Sequence, residues 1–221
     1  MRFLYHELAG VNSIEITNER YRHIFKARRG KVGDTISLRN LKDDLIHSYE
    51  VVSVTKKEAK VKLISSKSLK IEPKRYFHLG WCVIEPKVIE KTLPFLNELG
   101  VGKISFIYCD RSQKNFRVDF ERLKRIAINS CEQCGRSSLM EFEVMNSLNE
   151  YLEKYPQSAI LDFGGKDIKN IDDIDSIVIG CEGGFSTKER ETFKEKDVYK
   201  IGSSIVLRSE TAAVYVASAI S

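Results

Sequence analysis

Apolar and polar residues alternate with a period of two along the first third of the chain, and the rhythm changes near residue 73. Alternating runs occupy residues 13–17, 34–39, 46–55 and 59–64, the signature of short strands with one buried face. One stretch of helical spacing, 18–29, interrupts them, and Gly30 with Gly33-Asp34 supplies the stop and the turn. This pattern predicts a small β-barrel carrying one helix. Residues 65–73 are polar, end in proline and read as a linker. Beyond it, apolar strands at 77–84, 103–109, 159–163, 176–180 and 199–202 alternate with helices. Those helices end near 99, cover 119–137 and restart at 209, a rhythm that predicts a parallel α/β sheet. Pro94 inside the first of them predicts a kink or a later start. The expected domains are therefore 1–70 and 74–221.

Composition narrows the class. The chain has 221 residues, 42% apolar and 30% charged, as in a folded globular protein of one large or two small domains. No run approaches the roughly 18 apolar residues that span a bilayer, and the first residues lack the apolar core of a signal peptide. A cytoplasmic location without membrane partners is expected. Five cysteines, an odd number, argue against a disulfide framework and for reduced thiols. Net charge is +5, but residues 1–70 hold 15 Lys and Arg against 8 Asp and Glu, while the remainder holds 21 against 23. The excess positive charge thus lies at the N-terminal end, where it suits a polyanion.

Candidate chemistry concentrates near the C-terminus. Ile179-Gly-Cys-Glu-Gly-Gly-Phe185 and Ile201-Gly-Ser-Ser-Ile-Val-Leu-Arg-Ser-Glu-Thr-Ala212 each read as a strand running into a glycine-containing loop. Ser186-Thr-Lys-Glu189 has the spacing of a capping box and opens a helix. Gly164-Gly165 reads as a third loop on the same face, and ligands of open α/β sheets lie beyond the carboxyl ends of the strands. Neither G-x-G-x-x-G nor a P-loop is present. On the helix 119–137, Phe120, Leu123, Ile126, Ala127, Cys131 and Cys134 form the expected buried face. Arg125, Asn129, Glu132, Gln133 and Arg136 gather on another, with Arg111, Lys114 and Arg117 upstream, a set suited to phosphate and base-edge contacts. Cys131 and Cys134 have metal-ligand spacing but no second pair, so no metal is expected. Four scattered histidines form no Ser/His/Asp arrangement, although His23 sits among arginines that suit RNA.

Seven motifs in order carry a family resemblance. They are Met1-Arg-Phe3; His23-Ile-Phe-Lys-Ala-Arg-Arg29 with Val32-Gly-Asp34; Glu85-Pro-Lys87; Glu98-Leu-Gly-Val101; Glu132-Gln-Cys-Gly-Arg136; and the two glycine segments above. Together they resemble the RsmE-type 16S rRNA uridine-N3 methyltransferases of the SPOUT superfamily. Cys181 and Met140 stand where that family usually has proline. The resemblance implies a PUA-like N-terminal β-barrel for RNA and a C-terminal parallel α/β domain with a deep trefoil knot, an exception to the rule against knots. It implies S-adenosyl-L-methionine held by Leu161, Phe163 and Gly164; by Gly180, Glu182, Gly183 and Gly184; and by Ile201, Gly202, Ser204, Ile205 and Leu207. It implies a partner in 16S rRNA or the small ribosomal subunit, with contacts from Arg2, His23, Lys26, Arg28, Arg29, Arg111, Lys114, Arg125 and Gln133. A homodimer is expected too, with Ala212, Ala213, Ala217 and Ala219 permitting close helix packing. For catalysis, Arg208 or Arg136 is expected to stabilise the uracil anion while Glu210 orients the site. Two alternatives stay open: a knotted methyltransferase with another RNA target, and a ribosome assembly factor without catalysis.

Overall fold

The computed structural model describes residues 3–27, 29–170 and 174–220. The chain divides into two compact units, Met1–Glu72 with Cys131–Leu139, and Pro73–Ser130 with Met140–Ser221. The segment Cys131–Leu139 therefore groups apart from the residues around it in sequence. Its anchors are polar: Tyr5 N–H donates to Glu132 Oε1 at 2.6 Å, and the Ser137 hydroxyl and amide bond the backbone of Ile71 at 2.8–3.0 Å.

In the first unit, β1 (Leu4–Tyr5), β2 (Ser13–Ile16), β3 (Thr35–Arg39), β4 (Leu45–Val54) and β5 (Ala59–Ser68) form one curled sheet in the order β1-β3-β4-β5-β2. Only β1 and β3 pair in parallel. Alternation places Ile14, Ile16, Leu38, Tyr49, Val51, Ala59 and Val61 on one face. Tyr21, Ile24 and Phe25 cover that face from a short α1 (Asn18–Tyr21) and the π-helical turn Arg22–Ala27. The expected single helix 18–29 is thus a turn of α-helix passing into a wider coil. The expected linker also starts later. Residues 65–68 extend β5 and pair with the start of β4, although Ser and Lys side chains give them no apolar signal.

The second unit is a six-stranded, all-parallel sheet in the order β11-β9-β10-β6-β7-β8. Its strands are β6 (Phe77–Cys82), β7 (Val101–Ile107), β8 (Glu141–Met145), β9 (Ala159–Asp167), β10 (Ser176–Ile179) and β11 (Val198–Lys200). Every residue of β6 is buried, as expected of a central strand covered on both faces. The helices are α2 (Pro86–Glu98), α3 (Phe120–Cys134), α4 (Leu148–Lys154), α5 (Thr187–Thr192) and α6 (Ser209–Ile220). α2 starts on Pro86, a position where the missing N–H costs nothing, and runs through Pro94. α6 packs on α2, β6 and β10.

Four sequence expectations fail here. β8 and α4 were not expected; β8 alternates weakly and is half exposed, and α4 is only two turns long. Phe120 and Cys134 are exposed instead of lying on the buried face of α3. Cys82 and Cys109 form a disulfide, leaving Cys131, Cys134 and Cys181 as thiols. Adjacent parallel strands bring these two, 27 residues apart, to a Cα separation of 5.7 Å, which chain spacing does not reveal. Finally, Ala212, Ala213 and Ala217 are buried inside this unit, so of the four alanines only Ala219 offers a surface for another chain. Among the described residues, no helix is long and apolar enough to cross a membrane.

Candidate active site

A cavity of about 620 Å³ opens at the carboxyl ends of β9, β10 and β11. That volume lies within the roughly 300–1,000 Å³ typical of small-molecule sites. Its first wall arises from a register break. Ile160 pairs with Val198, yet the next pair is Lys166 with Tyr199, so residues 161–165 bulge out of the pairing with β11 at the cavity. Leu161, Asp162 and Phe163 line it, Phe163 being 68% exposed. Gly164 is absent from the lining, and with Gly165 it belongs to an extended β9 and not to a separate turn. Gly165 is obligatory, because a Cβ there would collide with the carbonyl of Val198.

The second wall follows β10. Gly184 takes a left-handed φ of 64°, which turns the loop into α5 at no steric cost. The expected capping box is present: Ser186 Oγ accepts from Glu189 N–H at 3.1 Å, and Glu189 Oε2 accepts from Ser186 N–H at 2.8 Å. The buried Glu189 also accepts from Asp110 N–H at 2.9 Å, and Ser186 Oγ donates to Asp110 Oδ2 at 2.6 Å. Arg111 Nη1 donates to Gly183 O at 2.6 Å. The turn after β7 thereby holds the glycine loop in place. Cys181 lies in the same wall, and burial pushes its thiol up from the ordinary value.

The third wall is the segment 201–207 after β11. Gly202 backs onto the Asp167 carboxylate, which would have to turn aside for a side chain there, while Ile205 and Val206 are 73% and 72% exposed. Ser209, the first residue of α6, joins this wall to the others. It donates to Gly180 O at 2.6 Å and accepts from the Trp81 indole at 2.9 Å.

Eleven of the twelve residues expected to hold the cofactor line this one cavity; Gly164 alone does not. Arg208 and Glu210 sit next to lining residues but outside the lining, 4.0 Å apart, with the Arg208 side chain 84% exposed. Arg136 groups with the first unit, is buried, and donates from Nε to Ser138 Oγ at 3.2 Å. Of the residues expected at RNA, His23, Lys26, Arg29 and Gln133 are exposed in the first unit, and Lys114 and Arg125 in the second. Arg111 is a cavity wall residue, whereas Arg2 and Arg28 lie outside the described residues.

Sequence reasoning missed the strongest ion pair of the cavity. Arg190 Nε and Nη2 grip the two carboxylate oxygens of Asp162 at 2.7 and 3.1 Å. Both residues line the cavity, and the Asp162 side chain is only 10% exposed. Hydrogen bonding to Asp162 holds the Arg190 guanidinium above its ordinary pKa. The partners are 28 residues apart, so only the position of Asp162 inside the expected loop hinted at it. Among the described residues no group of three or more His, Cys, Asp and Glu could hold a metal ion.

Comparison with known proteins agrees with this geometry. A family model described as an RNA methyltransferase domain matches residues 71–221, and one described as an RNA methyltransferase PUA domain matches residues 16–64. The Helicobacter pylori (strain ATCC 700392 / 26695) protein named ribosomal RNA small subunit methyltransferase E is 46% identical over 222 residues, 99% of this chain and 98% of that protein. A Legionella pneumophila methyltransferase solved with bound SAM superposes with a TM-score of 0.83 at 25% identity, covering 98% of this chain and 94% of that one. The crystal structure of the ribosomal RNA small subunit methyltransferase E of Neisseria gonorrhoeae, bound to S-adenosyl methionine, superposes with a TM-score of 0.84 at 22% identity. It covers 100% of this chain and 96% of that one, and at this identity the likeness speaks for the fold.

Proposed function

The chain belongs to the ribosomal RNA small subunit methyltransferase E family, and we propose that it methylates N3 of a uridine in the 16S rRNA of the small ribosomal subunit, using S-adenosylmethionine. The observation that carries this reading is the convergence of the β9 bulge and of the glycine-containing segments after β10 and β11 on one cavity. The walls fit such a cofactor. Leu161, Ile201, Ile205 and Leu207 offer apolar surface for a purine, and Asp162, Arg190 and Glu182 offer charge for the remainder.

When bound, the cofactor supplies an already activated methyl group. The chain's own work is to position the uracil and to manage its N3 proton. That proton has a pKa roughly 2 units above neutrality, a handicap of about 3 kcal/mol at ~1.4 kcal/mol per unit. Arg208 is the better of the two arginines for stabilising the uracil anion. Its guanidinium is exposed between two lining residues, Leu207 and Ser209, whereas Arg136 is buried and bonded to Ser138. Glu210, one-quarter exposed on the first turn of α6, orients Arg208. A uridine within a helix has to leave its stack to reach this position.

The exposed His23, Lys26 and Arg29 of the first unit serve as phosphate contacts, together with Lys114, Arg125 and Gln133. Because β11 lies at one edge of the sheet and α6 packs on its centre, the chain must return across the ends of β9 and β10. That path favours threading through the preceding loops, as a trefoil knot. Exposed Phe163, Ile205 and Val206 favour a second copy of the chain against this face, as a cytoplasmic homodimer. Nucleoside mass spectrometry of 16S rRNA from a deletion strain tests the reading. N3-methyluridine should disappear and return on complementation, and its persistence would assign the enzyme to another RNA or to an assembly role.

A further inference from the structure

The Asp162–Arg190 pair has no part in the family motifs, yet it bridges two walls of the cavity. Asp162 stands on the β9 bulge, and Arg190 on the helix that follows the glycine loop. The bidentate contact occupies Nε and one N–H of Nη2 and leaves the N–H groups of Nη1 outside it, on a side chain that is 42% exposed. Each carboxylate oxygen of Asp162 likewise keeps a lone pair. Nη2 lies 4.0 Å from the position a Cβ of Gly184 would take, so the absent side chain leaves the cation open to a ligand. A cation and an anion clamped side by side have almost no net charge but a large local dipole. Such a dyad complements a group that itself carries an ammonium and a carboxylate on one carbon.

Resting on the cofactor reading above, we propose that Asp162 and Arg190 form a clamp for the α-amino-acid end of the cofactor, Asp162 taking the ammonium and Arg190 the carboxylate. The dyad adds no net charge near the sulfonium, and it separates the full cofactor from nucleosides that share its adenine and ribose. Forked geometry matters, because a lysine is a point charge that matches both oxygens of Asp162 and a second anion less well than the planar guanidinium.

Isothermal calorimetry with the full chain tests the clamp without turnover, using S-adenosylhomocysteine, 5′-methylthioadenosine and decarboxylated S-adenosylmethionine. The second ligand lacks the amino-acid end and the third lacks only its carboxylate. Arg190→Met should weaken S-adenosylhomocysteine about tenfold, the loss of one partly exposed charge-assisted contact, and leave the other two within about twofold. Asp162→Asn should weaken the two ligands that carry the ammonium and spare 5′-methylthioadenosine. Arg190→Lys should recover only part of the loss. Equal weakening of all three ligands in folded Arg190→Met and Arg190→Lys proteins would overturn the clamp and leave a purely architectural pair. A wild-type chain that binds S-adenosylhomocysteine no better than 5′-methylthioadenosine would also overturn it while sparing the cofactor reading. Binding of none of the ligands would overturn both.

Discussion

Two charged clusters of the second unit contrast sharply. One lies along the middle of β7 and β8, where Glu143 of β8 is the hub. It accepts from Ser105 at 2.5 Å, Tyr155 at 2.6 Å and Lys154 at 2.7 Å, with Lys103 at 3.1 Å. His78 Nε2 completes the chain to Ser105 at 2.7 Å. The other cluster borders the cavity at the carboxyl ends. There Arg208 reaches Glu210 only at 4.0 Å and is 84% exposed. A buried polar group must be paired or it destabilises the fold, whereas an exposed one can remain available for a ligand. The first cluster is therefore read as stability and the second as chemistry.

The sharpest way to break this contrast is Glu143→Ala. It removes the acceptor for four groups and leaves Lys103 uncompensated, so unfolding free energy should fall by about 3 kcal/mol in urea titrations. Cofactor affinity of the folded fraction should change less than about twofold. A large loss of affinity at unchanged stability would reverse the assignment of the two clusters.

Acid titration sharpens the contrast from another side. Burial, aided by Lys103, pushes His78 down from 6.5 to about 4. Burial also opposes charge on Glu143, but hydrogen bonds from Lys154, Ser105, Tyr155 and Lys103 outweigh it and bring the carboxyl from 4.5 down to about 2. Both folded values are depressed, so both contributions are complete above the unfolded pKa and vanish as pH falls. Stability should decline between pH 6.5 and 4 through His78, and between 4.5 and 2 through Glu143. His78→Gln should flatten the upper limb of ΔG against pH, by up to about 3 kcal/mol, and leave the lower one in place.

Gly165→Ala probes the cavity wall itself. The added methyl collides with backbone at Val198, so the β9 bulge must shift and S-adenosylmethionine affinity should drop about tenfold. The smallest structural perturbation is Arg208→Ala. The exposed side chain should leave melting temperature and cofactor affinity unchanged while turnover falls by about 10- to 100-fold. Full turnover in that variant would remove Arg208 from the chemistry.

The contrast also explains what the sequence could and could not reveal. Alternation marked β2 through β5, and the apolar runs marked most parallel strands, because one or both of their faces are buried. Glycines marked the cavity loops, since close backbone approach leaves a trace in residue type. The excess cations were visible as charge. What stayed hidden depended on pairing across distance. Asp162 with Arg190, Cys82 with Cys109, and Glu143 with its donors each join elements whose adjacency follows only from sheet order. β8 escaped notice because its polar hub, Glu143, interrupts the apolar pattern that a strand search uses. Arg136 was placed on an open helix face by spacing alone, but α3 ends at Cys134, and the residues beyond it fold back into the first unit.

Methyl transfer reconstituted from purified parts tests the central claim most directly. Small ribosomal subunits from a deletion strain would be incubated with this protein and isotopically labelled S-adenosylmethionine, and the rRNA digested to nucleosides for mass spectrometry. Labelled N3-methyluridine, at about one per 16S rRNA, is the predicted result. Label in another nucleoside, or none despite measurable cofactor binding, would contradict it.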